Sequence, residues 1–180
     1  MKKLVMLACF GAAAWTLGGA NITAAAESGE KTPSVSVNII NAKGETVGTA
    51  ELTERQDGVH IHVAVENLPP GTHGIHFHET GKCDPPAFKT AGEHFNPTGK
   101  HHGFKNPQGF HAGDLPNLEI APSGKANVEI VSSHVTLEKG KPNSLLKEGG
   151  TALVIHAKAD DYATDPAGNS GDRIACGAIQ

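Results

Sequence analysis

Apolar and polar residues alternate in short runs along the chain from residue 34 onward. The clearest run is VHIHVAV at 59–65, in which the aliphatic side chains would face a core and the two histidines would face solvent. Runs of this kind, bounded by turns that contain glycine, proline or aspartate, predict strands. Eight strands are predicted, at residues 34–40, 46–53, 59–65, 73–78, 118–121, 125–131, 152–157 and 174–179. No stretch has the period of a long amphipathic helix, so the pattern predicts an all-β fold.

Two long segments interrupt this pattern, at residues 79–117 and 158–173. Loops of this length within a compact domain are usually either functional or disordered. Short strands joined partly by such long connections are typical of an eight-stranded Greek-key β-sandwich or flattened barrel. We therefore expect the two long loops to carry the chemistry.

Composition narrows the class of protein. The chain has 180 residues, which suits one domain, and its 22 glycines and 11 prolines are too many for a helical bundle. Its formal charge is −4 and its basic residues do not cluster, so a nucleic-acid partner is not expected. The 11 histidines exceed what core packing needs, which makes them the main candidates for chemistry.

The N-terminus has the order of charges and apolar residues that is typical of a secretory signal peptide. Lys2 and Lys3 precede an apolar run at 4–17, and small residues follow up to Ala26, after which we expect cleavage. A transmembrane anchor is the alternative, but the apolar run is shorter than the ~20 residues of a spanning helix. A lipoprotein site at Cys9 would have too short an apolar core before it. The expected organisation is a signal peptide at 1–26, a flexible leader at 27–33 and one domain at 34–180.

Cleavage after Ala26 would leave a mature chain of 154 residues with 13 basic and 19 acidic residues and a formal charge of −6. It would also remove Cys9 and leave Cys83 and Cys176. An even pair of cysteines in an exported chain predicts one disulfide, because the environment outside the cytoplasm is oxidising. The expected location of the mature protein is periplasmic, cell-surface or secreted.

The spacing of the histidines indicates metal binding. His76 and His78 are two residues apart on a predicted strand, so their imidazoles would face the same side. His60 and His62 have the same spacing, but we interpret them as the solvent face of an alternating strand. His156 ends another apolar strand. The first long loop adds a set of nitrogen and oxygen ligands that suits tetrahedral zinc, namely His94, His102, His111 and Asp114.

Five separate sequence motifs occur in the order found in one protein family. They are HGIHFHE at 73–79, GEHFNP at 92–97, HAGDL at 111–115, VIHAKADD at 154–161 and GNSGDRIACG at 168–177. In these motifs, the chain from residue 34 to residue 180 closely resembles the copper/zinc superoxide dismutases. The segment GKCDPP at 81–86 is similar to the bacterial exported branch of that family.

The resemblance implies dismutation of superoxide to dioxygen and hydrogen peroxide by a redox-cycling copper ion beside a structural zinc ion. The implied copper ligands are His76, His78, His94 and His156. The implied zinc ligands are His94, His102, His111 and Asp114. His94 would therefore bridge the two ions and supply a proton during turnover.

The resemblance also implies roles for residues that do not bind metal. Arg173 would attract and orient the anionic substrate. Asp160 would accept hydrogen bonds from a ligand of each metal, His76 and His102, and so orient both rings. The second long loop has one lysine, Lys158, among several acidic residues, so a strongly positive approach to the site is not expected.

Other residues gain their interpretation from the same family. The Cys83–Cys176 disulfide would tether the first long loop to the strand after Arg173. His73 matches a histidine that has a structural role in the family. Of the adjacent His101 and His102, the family's spacing from His94 selects His102 as the ligand. The unassigned histidines are expected at the surface: His60, His62 and His134.

Two other functions fit parts of the pattern. A non-catalytic protein of the same fold, which stores or delivers metal, would be expected to lack copper ligands or the arginine, and none is missing here. A zinc hydrolase needs an open position on zinc, which three histidines and Asp114 would close. A monomer and a homodimer both stay open, as does a membrane tether through the N-terminus.

Overall fold

The computed structural model describes residues 32–180. The predicted signal peptide and most of the predicted leader lie outside these residues. The described part contains a short 3₁₀ helix at Lys89–Ala91 and nine strands. The strands are β1 (Ser34–Asn41), β2 (Thr46–Arg55), β3 (Gly58–Val65), β4 (Gly71–His73), β5 (Ile75–His78), β6 (Leu118–Ile120), β7 (Ala126–Ser132), β8 (Thr151–His156) and β9 (Arg173–Ile179). No helix among these residues is long and apolar enough to span a membrane.

Seven of the strands form one antiparallel sheet in the order β5-β8-β9-β1-β2-β3-β7, and β4 pairs with β6. The alternation in β3 buries Val59, Ile61 and Val63 completely, whereas His62 on the opposite face is exposed. The neighbouring strands add further aliphatic residues to the same core, among them Ile39 and Leu52. The predicted all-β class is therefore confirmed.

The prediction of a single strand at 73–78 is wrong, because two strands occupy this segment. β4 ends at His73 and pairs with β6, whereas β5 begins at Ile75 and pairs with β8. Between them, Gly74 donates its N–H to the carbonyl of Lys158 at 2.8 Å. A Cβ at Gly74 would lie 2.9 Å from the Cβ of Ser170, which is closer than side chains pack. The chain therefore changes its pairing partner at a glycine, and the described residues contain nine strands where eight were predicted.

β5 is an edge strand of the sheet, and it carries His76 and His78. Its free edge is covered by the first long loop. Phe77 donates its N–H to the carbonyl of Gly113 and accepts a hydrogen bond from the N–H of Phe95, both at 2.8 Å. Backbone pairing therefore brings two distant parts of the loop alongside the two histidines of the strand.

Cys83 and Cys176 form the predicted disulfide, which joins residues 93 positions apart. Cys176 lies on β9 and is fully buried, in a small apolar cluster that also contains Phe88 and Val154. The disulfide therefore ties the start of the first long loop to β9, the strand that begins at Arg173.

Replacing both cysteines by serine is expected to lower the free energy of unfolding by about 4 to 5 kcal/mol, because the unfolded chain loses a cross-link over a long loop. Denaturant unfolding of the oxidised wild type and of the variant measures this difference. The reduced wild type is the control and should unfold with the variant. An unchanged midpoint in both would contradict the expectation.

Candidate metal centre

His76 and His78 lie on the face of β5 opposite Ile75 and Phe77, because successive side chains of a strand alternate. All four side chains are fully buried. Ile75 and Phe77 join the main core, so the two histidines face the long loops instead.

Four buried imidazoles form the first group: His76, His78, His94 and His156. Their ligand atoms lie within 4.8 Å of one another. The Nε2 atoms of His78 and His156 face each other at 3.3 Å. His78 Nδ1 donates to the carbonyl of Gly92 at 2.9 Å, and this leaves its Nε2 with a lone pair. His156 Nδ1 likewise faces the carbonyl of Gly171 at 3.2 Å. Two lone pairs that face each other are the arrangement that a shared metal ion stabilises.

The second group comprises His94, His102, His111 and Asp114, and its ligand atoms also lie within 4.8 Å of one another. Asp114 Oδ1 lies 3.1 Å from Nδ1 of His94 and 3.1 Å from Nδ1 of His102. It lies 3.3 Å from Nδ1 of His111. Ligands at about 2.0–2.1 Å from a tetrahedral zinc ion are separated by roughly 3.3 Å. The measured separations therefore fit a zinc ion.

His94 belongs to both groups and faces each with a different nitrogen. Its Nδ1 faces Asp114, whereas its Nε2 has no hydrogen-bond partner although the residue is buried. Nδ1 of His76 is also buried without a partner. Among the described residues, the one other buried side-chain atom of this kind is Oγ of Ser170. Buried nitrogens normally find a partner, so these two orphaned atoms of the first group fit a copper ion.

Burial keeps the first group neutral. It lowers the pKa of His94 to about 3, and it lowers the pKa of His156 to about 3. Burial also lowers the pKa of His76, and it lowers that of His78 well below its usual value. At neutral pH these imidazoles therefore carry no charge and offer lone pairs to a cation.

In the second group, hydrogen bonds between histidines and carboxylates affect the pKa values more than burial does. Burial alone would lower the pKa of His102, but hydrogen bonds to Asp114 and Asp160 outweigh it and raise the pKa to about 9. Burial would raise the pKa of Asp114, but hydrogen bonds from the surrounding histidines and the backbone hold it well below its usual range. Zinc binding at neutral pH therefore displaces a proton from this group.

Asp160 lies between the two groups and is buried. Its Oδ2 accepts a hydrogen bond from His76 Nε2 at 2.8 Å, and its Oδ1 accepts one from His102 Nε2 at 3.0 Å. In its neutral form, each ring therefore has its lone pair on Nδ1, the nitrogen that faces the metal group. The structure thus contains the two hydrogen bonds expected of Asp160.

Arg173 begins β9 and is half-buried beside the first group. Its guanidinium donates to the carbonyl of Phe88 at 2.8 Å and to the carbonyl of Gly92 at 2.7 Å. The Gly92 carbonyl also accepts the hydrogen bond from His78, so one oxygen orients both the arginine and the imidazole. The depression in front of the arginine is also lined by Lys89, Glu93 and Asp172. This balance of charges agrees with the expectation that the approach is not strongly positive.

Two more histidines lie near the centre without joining either group. His73 is buried, and its ring nitrogens face the carbonyls of His156 at 2.8 Å and Pro69 at 2.9 Å. His101 points outward and pairs with Asp165. These contacts are consistent with a structural role for the first and with the choice of the following residue, His102, as the ligand.

The remaining histidines lie away from both groups. His60 is half-buried, with its ring nitrogens 2.8 Å from Asp57 and 2.6 Å from Glu129. His62 and His134 are exposed. Within the part of the chain that the structure describes, none of the three belongs to a set of residues that could hold a metal ion.

Sequence reasoning missed Asn117 and Tyr162. The side-chain amide of Asn117 pairs with the backbone of Asp160, and the backbone N–H of Asn117 donates to the hydroxyl of Tyr162 at 2.7 Å. Neither residue is part of the spacing pattern of the metal ligands. The one sequence signal for the asparagine was that it closely follows the HAGDL motif. Only the folded positions of the two loops reveal them.

The fold and the two adjoining groups define a β-sheet metalloprotein whose centre suits two ions that share one imidazole. A sequence model described as "Copper/zinc superoxide dismutase (SODC)" matches residues 46–179, and the chain belongs to this family.

Similar proteins support this family. "Superoxide dismutase [Cu-Zn] 1" of Aquifex aeolicus (strain VF5) is 55% identical over 144 residues, which are 79% of this chain and 85% of the relative. "Superoxide dismutase-like protein YojM" of Bacillus subtilis (strain 168) is 48% identical over 145 residues, 79% of this chain and 74% of the relative.

Solved structures give the same fold. A SOD-like protein from Bacillus subtilis has a TM-score of 0.79 at 47% identity, covering 81% of this chain and 97% of that chain. The Cu/Zn superoxide dismutase from Brucella abortus has a TM-score of 0.68 at 32% identity, covering 82% of this chain and all (100%) of that chain. The protein is a superoxide dismutase with copper and zinc as cofactors, which confirms the predicted enzyme over the zinc-hydrolase and non-catalytic alternatives.

Proposed function

We propose that the copper ion of this dismutase is held by the first group and the zinc ion by the second group, with His94 shared between them. This proposal rests on a set of buried imidazole nitrogens whose lone pairs receive no hydrogen bond from a protein donor. Nε2 of His94 and Nδ1 of His76 lack any partner, and the Nε2 atoms of His78 and His156 face each other. A cation at this point satisfies all four nitrogens.

When bound, copper supplies the one-electron oxidation and reduction of superoxide, while zinc has no redox chemistry and stabilises the loop. The residues of the chain supply the rest. His94 faces the zinc group through Nδ1, so Nε2 is the atom at which it can hold a proton whenever that nitrogen is not a ligand. Its burial keeps this proton away from bulk water, and Nε2 belongs to the first group, where we propose that superoxide reacts.

Arg173 binds the anionic substrate at the mouth of the site. Two carbonyl groups fix the guanidinium, so its charge stays in one place without the cost of ordering a long side chain. The guanidinium shares the Gly92 carbonyl with His78, so an anion bound to Arg173 would lie next to the first group.

Arg173→Glu is expected to lower kcat/KM for superoxide by about tenfold or more, because a like charge replaces the cation that receives the anion. Inhibition by azide should weaken for the same reason. Arg55→Glu is the matched control, since Arg55 is the chain's other arginine and is exposed at the end of β2. Equal rates for both variants, measured at low and high ionic strength, would refute the role of Arg173.

The metal content of the mature chain tests the proposed centre directly. The protein that starts at Glu27, purified with its disulfide intact, is expected to contain one copper and one zinc per chain by elemental analysis. Removal of copper should abolish dismutation, and its return should restore it. Zinc alone, with no activity after copper is supplied, would contradict the proposal.

We also propose that the enzyme acts outside the cytoplasm. The signal-like residues 1–26 and the Cys83–Cys176 disulfide support export, because disulfides persist in oxidising compartments. Protein recovered from the periplasm or medium should begin at Glu27 by N-terminal sequencing. A full-length chain found in the cytoplasm would contradict export.

A further inference from the structure

A side-chain amide joins the two long loops directly behind the metal centre. Asn117 lies just before β6, and Asp160 lies in the second long loop. Nδ2 of Asn117 donates to the carbonyl of Asp160 at 2.9 Å, and the N–H of Asp160 donates to Oδ1 of Asn117 at 2.9 Å. Both halves of the amide therefore hold the backbone of a single residue across 43 positions of sequence.

The second long loop is held at further points around this contact. The hydroxyl of Tyr162 accepts a hydrogen bond from the N–H of Asn117 at 2.7 Å. The carbonyl of Tyr162 accepts one from the N–H of Lys105 at 2.8 Å. Tyr162 adopts a φ of 64°, a left-handed conformation that is uncommon for a non-glycine residue. These contacts support a loop conformation that the local sequence alone does not favour.

The carboxylate of Asp160 has little freedom to adjust. A Cβ at Gly168, whose φ is +61°, would lie 1.8 Å from Oδ1 of Asp160 and 2.7 Å from Nε2 of His102. Gly168 therefore packs directly against the carboxylate, so a rotation of the side chain towards Gly168 cannot compensate for a shift of the Asp160 backbone. That backbone is the part which Asn117 holds.

We propose that Asn117 is a positioning residue for both metal sites, acting through Asp160. By fixing the Asp160 backbone, it lets one carboxylate reach the Nε2 atoms of His76 and His102 together. This inference rests on the proposed division of the ligands between copper and zinc. It assigns Asn117 no contact with either metal or with superoxide.

Loss of the amide leaves the N–H and the carbonyl of Asp160 without their partners and frees the loop to shift. The hydrogen bond from His102 should weaken first, because it crosses between the two long loops that the amide joins. The strand of His76 keeps its own tie to the second long loop, through the hydrogen bond from Gly74 to Lys158. Removing groups that orient metal ligands typically costs about 10–100-fold in metal affinity. We expect the loss of zinc affinity to fall within that range.

The test compares zinc dissociation constants, measured by competition with a chelator of known affinity. Asn117→Ala is expected to raise the constant about 10-fold or more. Asn96→Ala is the matched control, because Asn96 is also half-buried and also holds a backbone through both halves of its amide. Its hydrogen bonds to Lys100, at 2.8 Å and 3.0 Å, stay within the first long loop and do not involve Asp160. We expect this control to change zinc affinity by less than about threefold.

The double variant Asn117→Ala with Asp160→Asn distinguishes positioning from general destabilisation. If Asn117 acts through Asp160, adding Asn117→Ala to Asp160→Asn costs little further zinc affinity. A structural defect would lower affinity by the same factor in both backgrounds and would overturn the proposal. Asn117→Asp keeps the acceptor for the Asp160 N–H but sets a carboxylate oxygen against the Asp160 carbonyl, so it should raise the zinc dissociation constant at least as much as alanine does. Wild-type zinc affinity in this variant would also overturn the proposal.

The visible spectrum of the protein with Co²⁺ in place of zinc gives a second readout. Asn117→Ala should shift this spectrum towards that of Asp160→Asn, whereas Asn96→Ala should match the wild type. A wild-type spectrum and wild-type zinc affinity in Asn117→Ala would overturn this inference alone. A wild-type protein that binds no zinc would instead refute the proposed division of ligands.

Discussion

His156→Ala should reduce dismutation by more than about 100-fold and leave zinc binding and the fold intact. His156 belongs to the first group alone, and its Nε2 faces the Nε2 of His78 at 3.3 Å. Removing residues that merely orient metal ligands costs about 10–100-fold, so removing a ligand should cost more. The copper and zinc content per chain, measured together with activity, tests this result.

His134→Ala is the control for this substitution, because His134 is an exposed histidine outside both groups. It should keep both metals and full activity. Equal loss of copper and zinc from His156→Ala would argue against two separate groups. Full activity in His156→Ala would show that the residue is not a copper ligand.

Asp114→Asn should raise the zinc dissociation constant by more than about 100-fold, for the same reason. The carboxylate supplies the one negative charge among the ligands of the second group. Its Oδ2 also accepts hydrogen bonds from the N–H groups of Gly103 at 2.9 Å and His111 at 3.0 Å. An asparagine must place its NH₂ group either against these two donors or against the imidazole nitrogens and the metal. Neither orientation reproduces the carboxylate.

The matched control is Asp84→Asn, because Asp84 is an exposed acidic residue of the same loop and lies outside both groups. It should bind zinc as the wild type does. Copper content of Asp114→Asn should stay close to one per chain when copper is supplied, because the first group keeps all its residues. Wild-type zinc affinity in Asp114→Asn would show that the second group is assigned wrongly.

Local pattern is enough to predict most strands. Alternation predicts a strand at 59–65, and β3 lies at Gly58–Val65, because its aliphatic residues alternate with polar ones along the whole strand. The same two-residue period puts the imidazoles of His76 and His78 on one face of their strand. The break at Gly74 could not be predicted, because it depends on pairing with Lys158 and on the nearness of Ser170, both far away in sequence.

The candidate site divides in the same way. The sequence shows which residue types are available for metal and, through the resemblance to the family, predicts which ion each residue would bind. It does not predict that the loop pairs with the edge of β5, that two Nε2 atoms face each other, or that Asn117 holds Asp160. The reason is physical: spacing along a strand follows from backbone geometry, whereas these contacts join segments that lie far apart in the sequence, and only the packed chain brings them together.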